Sequence, residues 1–533
     1  MARNLFDRCV EAVAPVHAVR RSAAREALRF LNSGYGNYGA NLTKKSMRGW
    51  AFAGGSAKED IEDNIDVLRQ RSRDAYMGVP VASSALKTLR TNVVAGGLMP
   101  APQIDGAFLG MTPEETEALQ EQIIREFALW ADTPECDMDG LGNFYKLQQL
   151  AYLGYLMNGD AFAVLPMQAR SGTPYDLRVR VIEADRVCSP DGYDRLTPCT
   201  VYGHDVYSIV QGVETDSDGH VSAYWVCNRH PLSDSAMLGR GLKWTRVETR
   251  GEMSGRRNIV HVITRERAGQ VRGVPILAPV LESLKQLGRY TDAEINAAVI
   301  SAMFTVFVQP ALASDDRPFG EMLPPDMLID AQDQSSIELG SGAIVGLNPG
   351  ETVNFAEPKH PNAGYDRFTE AMIKQIGAAM EIPPELVLKQ FSTSYSAARG
   401  ALNEFWRSCD VQRDDFVDSF CQPIYEEWLA EAVARGRIHA PGFFQDQAIR
   451  KAYSECTWPG PARTSLNPVQ EINAAAKRVE AGFSTAQEET AQMTGGNYNR
   501  NIRQRMTEAK RKREVDEIIE PDGAQGDGGG KNV

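Results

Sequence analysis

The sequence predicts an α+β protein, and three observations carry that expectation. Apolar residues recur at three/four spacing over 61–99 and 112–158. Between 160 and 265 the period drops toward two, in short runs separated by turns. Beyond 277 the pattern returns to helix, with two long helical runs bracketing an irregular, turn-rich insert.

The N-terminal 60 residues hold a basic amphipathic stretch, HAVRRSAAREALRFL at 17–31, and then a Gly/Asn/Ser-rich segment, NSGYGNYGANLTKKS. They read as a helix followed by an arm, or as an arm that packs on a neighbouring copy. IEDNIDVLRQRSRDAYMG and SSALKTLRTNVVAGG follow as helices. TPEETEALQEQIIREFALWAD opens with Thr112 as cap, Pro113 in the first turn and acids behind it, which is sound helix-start chemistry. DAFAVLPMQ, LRVRVIEADRVCS, GHVSAYWVC and NIVHVIT then alternate as strands of antiparallel hairpins, with SDGH at 217–220 as one turn.

After VRGVPIL at 271–277, Pro279 stands near the start of a helix of about 25 residues, near 40 Å long at ~1.5 Å per residue. Residues 309–364 are rich in Pro, Gly and Asp, with strand-like patches at SSIEL, GAIVGL and TVNFAE. YDRFTEAMIKQIGAAMEI at 365–382 is a second helix, which Pro383-Pro384 is expected to stop. From about 396 to 435, Leu402, Phe405, Trp406, Cys409, Phe416, Phe420, Ile424 and Trp428 keep helical spacing, and Pro423 must kink or break that run. A helical segment over 466–513 ends in the basic RNIRQRMTEAKRKRE, before a Gly/Asp tail at 521–533 whose composition predicts disorder.

Composition excludes several classes. A chain of 533 residues with 43% apolar and 24% charged residues is that of a folded protein of two to four domains. A formal charge of −13 makes a chain-wide grip on nucleic acid a poor expectation, though it leaves room for DNA that passes without being held. Eight scattered cysteines lack any Cys-x-x-Cys pair and fit a reducing compartment. The most apolar stretch, AAVISAMFTVFV, is about half the ~20 residues of a membrane span. MARNLFDRCVEAVAP reads against a secretory leader.

Chemistry-bearing motifs are missing from the expectation as well. There is no phosphate-binding loop of Walker type, no nucleophile elbow and no zinc-protease or calcium-loop pattern. His204, His220, His230 and His261 lack metal-ligand spacing and read as structural or surface histidines. Asp315-Asp316 and Asp414-Asp415 read as solvated faces. No catalytic residue, cofactor or metal is therefore expected. The two long helices instead describe a projecting stalk with the insert at its tip. If copies pack side by side in a ring, Ala297, Ala298, Ala302, Gly377, Ala378 and Ala379 permit close approach.

One family shares this pattern. NGDAF (158–162), LRVRVIEADRV (177–187), HVI followed by VRGVPIL (261–277), SYSAAR (394–399) with NEFW (403–406), and WPGPARTSLNPVQEINAA (458–475) with GFST (482–485) come in its order and spacing. In these the chain, from roughly 60 to 515, resembles the portal proteins of tailed bacteriophages, specifically the lambda-type branch. It departs from them at TGGNYNR (494–500), which lacks an acidic residue near Asn497 or Asn499.

The resemblance implies a homo-oligomeric ring, usually of twelve subunits, at one vertex of the virion capsid, assembled in the host cytoplasm. Double-stranded DNA would enter and leave through its channel. The terminase large subunit would dock on it, then the head-completion and tail connector proteins, with capsid and scaffold proteins as further partners and no membrane. It implies an arm over 1–60, a wing over 61–276, stem helices at 277–303 and 365–382, and a small α/β clip at 304–364. The tunnel loop would be 383–397, the long kinked helix with its following segment 398–457, the crown 458–520 and the disordered tail 521–533.

On that map Lys389, Gln390, Phe391, Ser392, Thr393, Ser394 and Tyr395 would face the DNA channel, where hydroxyl and amide groups make weak, exchangeable contacts. A simple helix cap by Ser394 or Ser396 is the other reading of those hydroxyls. The acidic clip residues Asp315, Asp316, Glu321, Asp326, Asp330 and Asp333 would meet terminase or connector. The basic run Arg500–Arg513 would meet packaged DNA or pair with acidic neighbours. The competing readings are another ring-forming virion connector and a soluble enzyme without a recognisable motif.

Overall fold

The computed structural model describes residues 45–47, 54–233, 241–302, 306–308, 328–329, 344–346, 364–390, 394–463, 468–496 and 498–519. The chain divides into two units, Met1–Ser56 and Ala57–Val533. Of the first, one 3-10 turn at Lys45–Met47 is described.

The second unit opens on four longer helices, α1 (Ile65–Gly78), α2 (Pro80–Val93), α3 (Pro113–Ala131) and α4 (Phe144–Asn158), with short helical turns at Ala57–Asp60 and Gly106–Leu109. Thr112 caps α3 as expected, in a full capping box. Its hydroxyl accepts from Glu115 N, while the Glu115 carboxylate accepts from Thr112 N. Asn143 caps α4, which ends on Gly159 in the left-handed conformation.

Two larger antiparallel sheets follow, with a two-stranded antiparallel pair, Cys199–Val201 and His204–Val206, beside them. β1 (Asp160–Val164) lies between β7 (Ile259–Ile263) and β2 (Arg180–Ile182), with Phe162 opposite both His261 and Ile182. The second sheet runs β3 (Ser208–Val210), β4 (Val213–Thr215), β5 (Val221–Cys227) and β6 (Trp244–Glu248), with a register shift at Glu214/Thr215. LRVRVIEADRVCS contributes only Arg180–Ile182 as strand. Its next residues turn at Ala184–Arg186 so that Arg186 Nε reaches the Cys227 carbonyl.

Helix α5 (Leu281–Ala302) starts behind a 3-10 turn holding Pro279. Val306–Val308, Leu328–Ile329 and Ile344–Gly346 form a parallel three-stranded sheet with the last strand central. The expected patches at SSIEL and TVNFAE lie outside the described residues. Helices α6 (Tyr365–Ala379), α7 (Pro384–Leu388), α8 (Tyr395–Phe416) and α9 (Gln422–Ala434) come next. The C-terminal part holds α10 (Gln447–Ser454), α11 (Pro468–Glu480), α12 (Ala486–Thr494) and α13 (Tyr498–Ile519).

Pro423 acts differently from a simple break. A π-helical turn, Val417–Cys421, joins α8 to α9, with Gln422 N bonded to Val417 O five residues back. The wide turn shifts the ladder just before Pro423, which then falls in the first turn of α9, where its missing N–H costs little. The apolar run thus continues through the irregularity. Phe416, Phe420, Tyr425 and Trp428 join Phe127, Trp130, Phe144 and Trp458 in one buried aromatic cluster. At its centre Phe127 and Trp428 meet edge to face at 4.9 Å. Among the described residues no helix is long and apolar enough to cross a membrane, and the described cysteines are free.

Candidate functional site

The two long helices meet through an aromatic contact midway along α5, where α6 begins. Tyr290 of α5 stacks on Tyr365 of α6 at 5.6 Å and meets Phe368 edge-on at 4.8 Å. Leu284, Leu287, Ile373 and Ile376 are buried below that contact. Further along, Ile295 and Val299 are 57% and 48% exposed, as Phe368 is at 48%. Each helix therefore carries apolar side chains that the other leaves uncovered.

The chain leaves α6 by a tight reversal. Met380 N and Ile382 N both bond to the Gly377 carbonyl, and Glu381 takes the left-handed conformation at φ 56°. A Cβ on Gly377 would meet the Ile382 carbonyl at 2.6 Å, so the turn closes on glycine. The helix thus stops three residues before the proline pair, by its own turn, and Pro384 begins α7.

Helix α7 and the residue behind it are pinned to α2. Ser84 Oγ donates to the Val387 carbonyl at 3.0 Å, and Lys389 Nζ donates to Thr88 Oγ1 at 2.7 Å. Lys389 itself is left-handed, at φ 56°, and Gln390 N closes on Glu385 O. Lys389 and Gln390 are exposed at the point where the loop departs. Phe391, Ser392 and Thr393 lie outside the described residues, as does the Tyr395 side chain. The loop returns at Ser394, which stands at the N-cap of α8 with no side-chain bond to a backbone N–H of the helix. Its hydroxyl lies 3.5 Å from Ser396 Oγ.

The far end of the same platform is held by α8. Arg413 donates from Nε to Val93 O at 3.0 Å and from Nη2 to Asn92 O at 3.1 Å, satisfying carbonyls at the end of α2. Arg413 also pairs with Asp410, which in turn pairs with Arg463. Arg463 lies over the Trp406 ring and Arg399 pairs with Glu471, so both residues of the SYSAAR…NEFW motif face the C-terminal segment. Ser84, Thr88 and Arg413 escape sequence reasoning. The available signal was a pair of hydroxyl residues, Ser84 and Thr88, one helical turn apart among Ala85, Leu86 and Leu89.

The other family motifs converge on a buried charge. Asp160 of NGDAF accepts from Arg272 Nε of VRGVPIL at 2.6 Å and from Gly273 N at 3.2 Å. Arg69 and His261 approach the same carboxylate at 3.7 Å each. Arg272 also donates to the carbonyls of Ala184, Val187 and Gln211, tying the first helices to both sheets. Burial works to raise the Asp160 pKa, but the Arg272 and Arg69 guanidiniums hold it well below the ordinary carboxylate range. Burial, together with the charge of Arg272, pulls Arg69 down to about 10. Burial also lowers His261, against the pull of Asp160.

Spacing gives no hint of one cluster. Glu183, Asp185 and His230 bring their ligand atoms within 4.8 Å of one another. Arg73 pairs with both carboxylates and supplies the positive charge there. Asp315, Asp316, Glu321, Asp326, Asp330 and Asp333 all lie outside the described residues. Arg503 of the basic run pairs with Glu117 and Glu121 of α3, so one of the two expected roles of that run, pairing with acidic neighbours, is filled in part.

The neck of a native GTA particle computed with C12 symmetry is a solved structure similar to this chain. It has a TM-score of 0.37 at 13% identity and covers 81% of this chain and 93% of that one. Among curated proteins, portal protein B of Escherichia phage lambda is 21% identical over 492 residues, 88% of each chain. The portal protein of Escherichia phage N15 is 23% identical over 509 residues, 90% of each. The model of the phage portal protein, lambda family, matches residues 43–413, well over half of the chain and including the Asp160 knot, both long helices and the pinned loop. The chain belongs to the lambda family of phage portal proteins.

Proposed function

We infer that this portal protein forms a closed ring of about twelve subunits at one capsid vertex, a channel through which double-stranded DNA is packaged and ejected. The observation that carries the reading is the family match over 43–413, which spans the helix pair and the loop pinned on α2. In this reading 281–302 and 365–379 are the stem, and their uncovered Ile295, Val299 and Phe368 pack against neighbouring copies. The loop from Lys389 to Tyr395 is the constriction. Its anchors at Thr88 and Val387 fix where it departs, leaving hydroxyl and amide groups to make exchangeable contacts with DNA of any sequence. A strong cationic grip would raise affinity and oppose sliding.

The acidic insert, with Asp315, Asp316, Glu321, Asp326, Asp330 and Asp333, serves as the clip that meets the terminase large subunit and later the head-completion and tail connector proteins. The role is structural, in the virion, and scaffold and capsid proteins guide assembly in the host cytoplasm. Native mass spectrometry and negative-stain microscopy of the full chain, with and without its phage's scaffold protein, test the reading. A closed oligomer with a central hole is expected. A chain that stays monomeric or forms open fibres even with scaffold present would overturn it.

A further inference from the structure

The C-terminal helix α13 carries a charge that the rest of the fold does not use. Residues 500–513 hold seven basic residues and one acid, +6 in all, leaving −19 for the remainder of a chain whose total is −13. The first turns of α13 are docked. Tyr498 N bonds to Gln487 Oε1 of α12 at 2.9 Å, and Arg503 pairs with Glu117 and Glu121 of α3. Beyond Arg503 the pattern changes. Residues 505–515 are exposed, and among the described residues Arg505, Lys510, Arg511, Lys512 and Arg513 pair with no other element. The helix bond from Gln504 to Glu508 stays within α13.

A helix that docks on a protein shows an apolar stripe at three/four spacing. Here the exposed apolar side chains past Arg503 are Met506 and Val515, nine residues apart and on different faces. The cations instead lie all around the helix. Such a surface cannot bury itself against one flat partner, but it can neutralise phosphates, which needs charge and no apolar contact. Residues 1–56 are also basic, at +6, but the chain outside them and outside 500–513 totals −25, so within the second unit this helix is the point of approach for a polyanion.

We propose that the Arg505–Arg513 segment of α13 is a sequence-independent binding surface for the phosphate backbone of double-stranded DNA. It is distinct from the loop at 389–395, which is built to let DNA pass. The inference rests on the portal reading for the identity of the polyanion.

The test uses the full chain and a fluorescent 30-base-pair duplex of random sequence, with anisotropy measured across a NaCl series. In one variant Arg505, Lys510, Arg511, Lys512 and Arg513 are all changed to Gln, leaving Arg503 and its docking intact. A second, charge-conserving variant carries Arg505→Lys, Arg511→Lys and Arg513→Lys. At about 0.9 of log–log salt slope per phosphate neutralised, the Gln variant should lose about 3 to 5 of the slope, with affinity down at least tenfold at low salt. The Lys variant should keep both.

Unchanged affinity and slope in a folded Gln variant would overturn the proposal. So would a Gln variant that binds DNA normally but no longer self-associates in native mass spectrometry, since the helix would then be a contact between copies. A ring with no DNA effect refutes this inference alone. A DNA effect with no ring even when scaffold is present upholds the surface and refutes the ring reading.

Discussion

Gly159 and Gly273 meet backbone to backbone: a Cβ on Gly273 would stand 1.8 Å from the Gly159 carbonyl oxygen. Gly159 is itself left-handed at φ 86°, and a Cβ there would strike the Gly273 carbonyl at 2.4 Å. The end of α4 and the VRGVPIL segment can approach this closely only because neither residue has a side chain.

Gly273→Ala should therefore cost about 3 kcal/mol or more, or abolish soluble expression, because backbone rather than a flexible side chain is in the way. Gly288→Ala is the contrast. Gly288 lies inside α5 with nothing within 4 Å of its added methyl. It should hold or raise the melting temperature, by up to about 1 kcal/mol of helix propensity. Equal effects at the two positions would contradict the close approach.

Asp160→Asn should destabilise the fold by about 3 to 5 kcal/mol, since it leaves Arg272 and Arg69 buried without their carboxylate. The acid limb of stability tests the same contact. The folded-state pKa of Asp160 is depressed, so its contribution is fully present above the unfolded value near ~3.9 and is lost as pH falls below it toward the folded pKa. Urea midpoints measured from pH 6 downward should fall below pH ~4 in the parent protein, and less steeply in the Asn variant. Parallel curves would show that Asp160 is not the titrating group.

Pro423→Ala should change stability by less than about 1 kcal/mol, because the π turn at Val417–Cys421 already shifts the ladder ahead of the proline. A proline forced into a regular helix costs about 3 kcal/mol. A gain of that size in the Ala variant, read by thermal melts, would mean the proline strains the helix.

Lys389→Glu in the phage should reduce packaging, read as encapsidated DNA per particle. It removes the Nζ bond to Thr88 and reverses charge at the loop's departure point. Lys389→Met separates the two causes: it breaks the same anchor without adding a negative charge. Packaging lost equally in both assigns the lysine to anchoring. Packaging lost only in the Glu variant assigns it to the passing phosphates, and parent-level packaging in both would leave it with neither role.

Helix starts, strands and the two long helices were legible because each rests on local chemistry. Thr112 with Pro113 and Glu115 is a cap whatever surrounds it. DAFAV forms a strand as read, but it is buried on both faces rather than alternating. The stop of α6 was misread, since Pro383-Pro384 is the louder signal. The turn is made instead by Gly377 and Glu381, through carbonyl bonds that composition does not announce. Pro423 marked an irregularity correctly, but whether a ladder breaks or widens depends on what Phe416 and Phe420 must pack against.

The sequence by itself determined the α+β class, the order of helices and strands, the acidic balance with its basic C-terminal run, and the motif order that marks a lambda-type portal. Only the tertiary structure decided why those motifs belong together. NGDAF and VRGVPIL are more than a hundred residues apart, yet they share one buried carboxylate and one glycine contact. It also decided that Lys389 leans on Thr88 and that Arg413 closes the end of α2. Local propensities act over a few residues and can be read along the chain. Buried charge pairs and backbone contacts form only when distant segments exclude water between them, and no spacing along the chain encodes that.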